Sequence, residues 1–144
     1  MTINADANGA STASRQILTL AGAKRIAAAA EAEAQRRGWK VNIAIVDDGG
    51  HLVHFTRMDD VQTASVAVAI GKARTAAMFR RPTKVIEDAI AGGRAALVTF
   101  PDAVAVQGGV PIVVGGTFLG GVGVSGVQSD QDEIVAKAGA DAVK

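Results

Sequence analysis

Residues Asn42 to Lys72 read N-I-A-I-V-D-D-G-G-H-L-V-H-F-T-R-M-D-D-V-Q-T-A-S-V-A-V-A-I-G-K, and this stretch decides the fold. Val41 to Val46 is rich in β-branched residues and reads as a strand. Asp47-Asp48-Gly49-Gly50 supplies turn chemistry, and His51 to Thr56 reads as the returning strand of a hairpin. Thr63 to Phe79, with no breaker but Gly71, reads as a helix. A charged loop with Arg57, Asp59 and Asp60 joins the two. Lys72 then stands among small apolar residues, where a cation needs a reason. Both features point to a ligand pocket.

Working outward, Thr19 is placed to cap a helix ending at Arg37, with Leu20, Ala23, Ala27, Ala30 and Ala34 on one narrow face and Gly38 as the stop. Thr83 is placed to cap a short helix from Lys84 to Ala91. Ala96–Phe100, Ala103–Gln107, Pro111–Gly115 and Thr117–Val124 are short apolar runs separated by Pro101 and glycine pairs, which predicts a meander. Ser129 or Asp130 opens a last helix, with Asp130 and Glu133 at capping-box spacing. Helix, hairpin, two helices, strands and helix in that order predict an α+β domain with an antiparallel sheet of about five strands. Met1 to Gln16 lacks periodicity and large apolar groups, so residues 1–16 are expected to be a disordered tail and residues 17–144 a single domain.

Composition narrows the function. The chain has 144 residues, 49% hydrophobic and 20% charged, with a net charge of +1 and 3% aromatic residues. A basic stripe interleaved with stacking rings is missing, which argues against nucleic acid. With no cysteine there are no disulfides, thiolate metal sites or cysteine nucleophile. No segment reads as a signal peptide or a membrane span, so the expected location is cytoplasmic, with no membrane partner.

The histidines come next. His51 and His54 lie three apart, and regular pleating sends them to opposite faces, His51 with Val53 and Phe55, His54 with Leu52 and Thr56. No metal site is expected from them; His51, beside the turn, is the better ligand contact. Arg57 suits a carboxylate, with Asp59 or Asp60 as a positioning partner. Ser65, Lys72 and Phe79 share one helical stripe. If that stripe faces a pocket, desolvation makes Lys72 a base or an anion holder. Gly121 to Gly126 matches G-x-G-x-x-G, but too little chain follows for a dinucleotide fold. Its alternating Gly and Val describe a strand with one bare face, open to a helix or a flat ligand.

The segments Ile43–Val53, Arg57–Asp59, Gly71–Ala76 and Gly108–Ala136 together resemble the GlcG/HbpS-like family, which includes the C-terminal domain of PduO-type cobalamin adenosyltransferases. The resemblance implies a profilin-like fold with a five-stranded antiparallel sheet flanked by helices, a homo-oligomer, and haem or a related tetrapyrrole as ligand. Carried over by position, the pocket residues are His51, Arg57, Asp59, Lys72, Thr75, Gly123 and Ser125. The expected function is small-molecule binding, with haem as cofactor. The alternative is an isomerase or lyase acting on a small carboxylate or carbonyl compound, with Lys72 as base, Arg57 as carboxylate binder and His51 as proton shuttle. Axial ligands for haem are scarce: two histidines, three methionines and no tyrosine.

Overall fold

The computed structural model describes residues 3–5 and 9–144. Two short strands, β1 (Ile3–Ala5) and β2 (Ala13–Arg15), pair antiparallel within the segment expected as a tail. The domain proper follows as α1 (Leu20–Arg37), β3 (Asn42–Asp47), β4 (Leu52–Arg57), α2 (Ala64–Phe79), α3 (Thr83–Ala91), a 3-10 turn (Ala95–Thr99), β5 (Gly109–Val114), β6 (Thr117–Ser125) and α4 (Ser129–Asp141).

The main sheet is antiparallel, in the order β4-β3-β6-β5. Strand alternation divides its side chains between two layers. Ile43, Ile45, Val122 and Val124 point to one face and pack with Ile26, Ala30 and Val135 from α1 and α4. Ala44 and Val46 point to the other and meet Ala69, Ala73 and Ala77 of α2, with Phe55 alongside. Each large aliphatic side chain on the first face contributes about 1.5–3 kcal/mol by leaving water. The alanine face of α2 contributes less area and more closeness. A Cβ on Gly123 would lie 2.0 Å from the Ala69 carbonyl oxygen, so only glycine allows the helix to sit this near the strand.

The α+β class stands, but the sheet has four strands instead of five. Pro111–Gly115 and Thr117–Val124 fall in β5 and β6, whereas Ala96–Phe100 and Ala103–Gln107 do not extend. Local bonds take the donors of the first run: the N–H of Leu97 reaches the Arg94 carbonyl at 3.3 Å and that of Phe100 the Leu97 carbonyl at 3.2 Å. Helix side chains take those of the second. Val104 N–H donates to Thr75 Oγ1 at 2.8 Å, and Gln107 N–H to Glu87 Oε2 at 3.1 Å.

Caps differ too. Thr19 caps α1 as expected, accepting from the Gly22 N–H at 3.0 Å, and Gly38 ends the helix in the left-handed region. Thr83 is no cap. It is fully buried, and its hydroxyl accepts from the Gly109 N–H at 2.9 Å, fastening α3 to the start of β5. The α4 box is formed by Gln128 and Gln131, two residues earlier than Asp130 and Glu133 would require.

Candidate functional site

Lys72 has a partner that sequence spacing does not reveal. Its side chain is 2% exposed, and Nζ donates to Asp132 Oδ2 at 3.0 Å and to the Val124 carbonyl at 3.0 Å. Asp132 is equally buried, and its other oxygen accepts from the Val127 N–H at 3.1 Å. The pair ties α2 to the first turn of α4 across the end of β6. Desolvation pushes the Asp132 carboxyl up, and the Lys72 ammonium and the Val127 N–H offset this only in part.

Thr75 and Gly123 are likewise engaged by the fold. Thr75 donates to the Gly71 carbonyl at 2.7 Å and accepts from Val104, so it holds the 103–107 segment against α2. Gly123 lies under Ala69 and Ala73, which resolves the bare face of β6 in favour of a helix. The G-x-G-x-x-G match runs along the end of this antiparallel strand and just past it. Ser125 is buried opposite Asn42 in the register. Asn42 is 0% exposed, and neither polar atom of its amide has a partner among the described residues.

His51 is exposed at the hairpin, where its ring would crowd a Cβ on Gly49 and its backbone N–H donates to Asp47 Oδ1 at 2.9 Å. A bulge in β4 corrects the expected face assignments. Val46 pairs with Leu52 and Ile45 with His54, leaving Val53 as the extra residue. Leu52 therefore shares the α2 face with Phe55, and His54 shares the opposite face with Thr56, whose Oγ1 lies 3.3 Å from Nε2. Arg57 and Asp59 do share a shallow surface cleft, beside Glu31, Gln35, Lys40 and Met58. Asp60 is held by Lys40 at 2.9 Å, not by Arg57, and this contact lowers its carboxyl below the ordinary range. His51 and Arg57 thus stand at opposite ends of β4, while Lys72 is buried on the inner side of α2 against β6 and α4. The three residues assigned to isomerase or lyase chemistry do not converge on a common cavity.

A different cavity does form. An open cleft of about 360 Å³ lies between the C-terminal end of α2, α3 and the 3-10 turn, walled by Phe79, Val85, Ile86, Ala89, Leu97 and Phe100, with Arg81 and Arg94 at its edge. Its volume falls in the range of small-molecule sites. Phe79 and Phe100 stack with ring centroids 5.1 Å apart and planes 6° from parallel. Arg81 Nε donates to the Phe79 carbonyl at 3.0 Å, and among the described residues neither arginine has a carboxylate partner. Arg80 and Asp102, next to the two phenylalanines' segments, are non-glycine residues in the left-handed region, at φ 54° and 57°. Such strain gathers where the surrounding structure has a use for it.

None of the seven residues picked from the sequence lines this cleft. The available signal was Phe79-Arg80-Arg81-Pro82, where a proline stops the helix just after an aromatic and two cations. In a chain with four phenylalanines and one tryptophan, the meeting of Phe79 with Phe100 needed the tertiary fold.

The architecture defines an α+β domain with helices packed on an antiparallel sheet, and comparison with known proteins gives its family. The model of the family described as haem degrading protein HbpS-like matches residues 18–141, and the chain belongs to this family. Escherichia coli K12 GlcG is 48% identical over 109 residues, covering 76% of this chain and 81% of GlcG. A double mutant of Streptomyces reticuli HbpS superposes with a TM-score of 0.88 at 30% identity, covering 100% of this chain and 99% of the other. A structure described as a PduOC:heme complex superposes at 0.80 with 27% identity, covering 90% and 96%. No helix among the described residues is long and apolar enough to cross a membrane.

Proposed function

We propose that this protein binds haem or a related tetrapyrrole, with the Phe79–Phe100 cleft as its site. The observation that carries the reading is the chemistry of that cleft. Apolar, partly aromatic walls suit the face of a flat macrocycle, and two guanidinium groups without carboxylate partners among the described residues suit the carboxylates at its edge. Membership of the HbpS-like family and likeness to a relative described as a haem complex support the same ligand. Bound haem would supply its own redox and ligand-exchange chemistry. What this chain contributes is an apolar wall that excludes water from one side of the ring and cations that orient its charged edge. Assembly into a homo-oligomer belongs to the same reading and is checked by analytical sedimentation.

The test is titration of dialysed apoprotein with hemin, followed in the Soret band. The expected result is a saturable shift with defined stoichiometry, weakened when Phe100 becomes Ala. Linear, unsaturable absorbance over the whole titration would remove haem from the account.

A further inference from the structure

Resting on that reading, we infer that the cleft recognises the porphyrin ring and its carboxylates rather than the iron, so that a metal-free porphyrin is bound as well as haem. The argument begins with what the cleft lacks and what it has. Protein ligands to haem iron are histidine, cysteinate, methionine or tyrosine side chains. No such side chain lines this cavity. His51 is at the β3–β4 turn and His54 is engaged with Thr56 on the opposite face of the sheet. Met58 packs into the core between the sheet, α1 and α4, while Met78, the neighbour of Phe79, turns toward Gly50.

The groups that are present act on the organic part of the ligand. Phe79 and Phe100 offer stacked aromatic surface, and Val85, Ile86 and Leu97 continue it. Arg81 spends one N–H on the Phe79 carbonyl, which fixes its planar fork at the rim with its remaining donors available to a carboxylate. Arg94 lines the same cleft from the segment just after Gly93, between α3 and the 3-10 turn. Two cations at the edge of one apolar slot match a planar dicarboxylate better than a monoanion.

The experiment is a pair of titrations on the full chain, one with hemin and one with protoporphyrin IX, read by absorbance and by porphyrin fluorescence. Both are run on wild type, Arg81→Ala/Arg94→Ala and His51→Ala. The two ligands are expected to saturate with Kd values within about threefold, and the double arginine variant to weaken both by about tenfold or more, the scale of losing charge-assisted contacts. His51→Ala is expected to match wild type for both. Hemin binding more than about tenfold tighter than protoporphyrin IX, or abolished in His51→Ala, would overturn the inference while leaving haem binding in place. So would equal loss-free binding in the double arginine variant, which moves the site elsewhere. Failure of hemin itself to saturate wild type would instead bring down the reading beneath it. Circular dichroism of each variant separates loss of binding from loss of fold.

Discussion

Two regions along α2 treat positive charge in opposite ways. At its middle, Lys72 is sealed from water, paired with Asp132 and bonded to a strand carbonyl. Just beyond its C-terminal end, Arg81 reaches an open apolar cleft with no carboxylate partner among the described residues, and Arg94 lines the same cleft from just after α3. A buried ion pair is costly to desolvate and holds only while both members stay, so Lys72 is committed to the fold. An unpaired guanidinium at an apolar rim costs the fold little and keeps its donors for something else. The comparison teaches that a lysine among alanines is no more a functional signal than an arginine at a helix end. The partner decides.

The largest expected effect tests the committed side. Asp132→Ala strands the Lys72 ammonium in the interior and is expected to cost about 3–5 kcal/mol in urea denaturation. Replacing both members, as Lys72→Met with Asp132→Met, is expected to recover most of that loss. If the double variant is as unstable as Asp132→Ala, the pair is not a unit of stability. Next comes Gly123→Ala, which places a methyl against the Ala69 carbonyl. The obstacle is backbone, so the cost is expected at the upper end of the roughly 1–3 kcal/mol typical of overpacking. A neutral result would show that α2 can lift from β6 more freely than its alanine face suggests.

A smaller effect concerns pH. Burial raises the Asp132 carboxyl, so the folded chain holds that proton more tightly than the unfolded chain does. Its contribution to stability is complete below the ordinary carboxylate value and is lost as pH rises through the raised folded value. Asp60, lowered by Lys40, runs the other way: its contribution is present above the ordinary value and is lost as pH falls through the lowered one, and its full exposure keeps the effect small. Urea midpoints measured between about pH 4 and 7 for wild type and the Lys72→Met/Asp132→Met variant isolate the buried pair. Wild type is expected to lose ground against the double variant as pH rises across that range. A gain would reverse the assigned shift.

The same contrast explains what could be read from the chain. The hairpin, α1 with its Thr19 cap, α2 and the pairing of Pro111–Gly115 with Thr117–Val124 rest on local periodicity and turn residues, so they were legible. The two missing strands have apolar runs as good as the real ones. The first fails because a 3-10 turn takes its backbone donors locally, and the second because Thr75 and Glu87, far along the chain, take its own. The bulge at Val53 was equally hidden, since it depends on how β4 registers against β3, and it moves the faces of Leu52 and His54. Family membership was legible because several separated motifs agree. The candidate site was not, because Lys72 and Asp132 are sixty positions apart and Phe79 meets Phe100 only after α3 folds back.

The smallest expected effect closes the comparison from the other side. Arg81→Ala and Arg94→Ala remove exposed cations that have no ion-pair partner among the described residues, so each is expected to change stability by no more than about 0.5 kcal/mol. Arg81 also gives up one bond to the Phe79 carbonyl, which is the reason to measure it separately from Arg94. The same urea series used for Asp132→Ala supplies the reading. If either arginine costs as much as breaking the buried pair, the rim is structural after all and the division between committed and available charge collapses. If both are nearly silent in stability while porphyrin titration loses its saturation, the two ends of α2 carry separate tasks. The helix is then fastened at Lys72 so that the segment beginning at Phe79 can hold its rings and cations apart from the core.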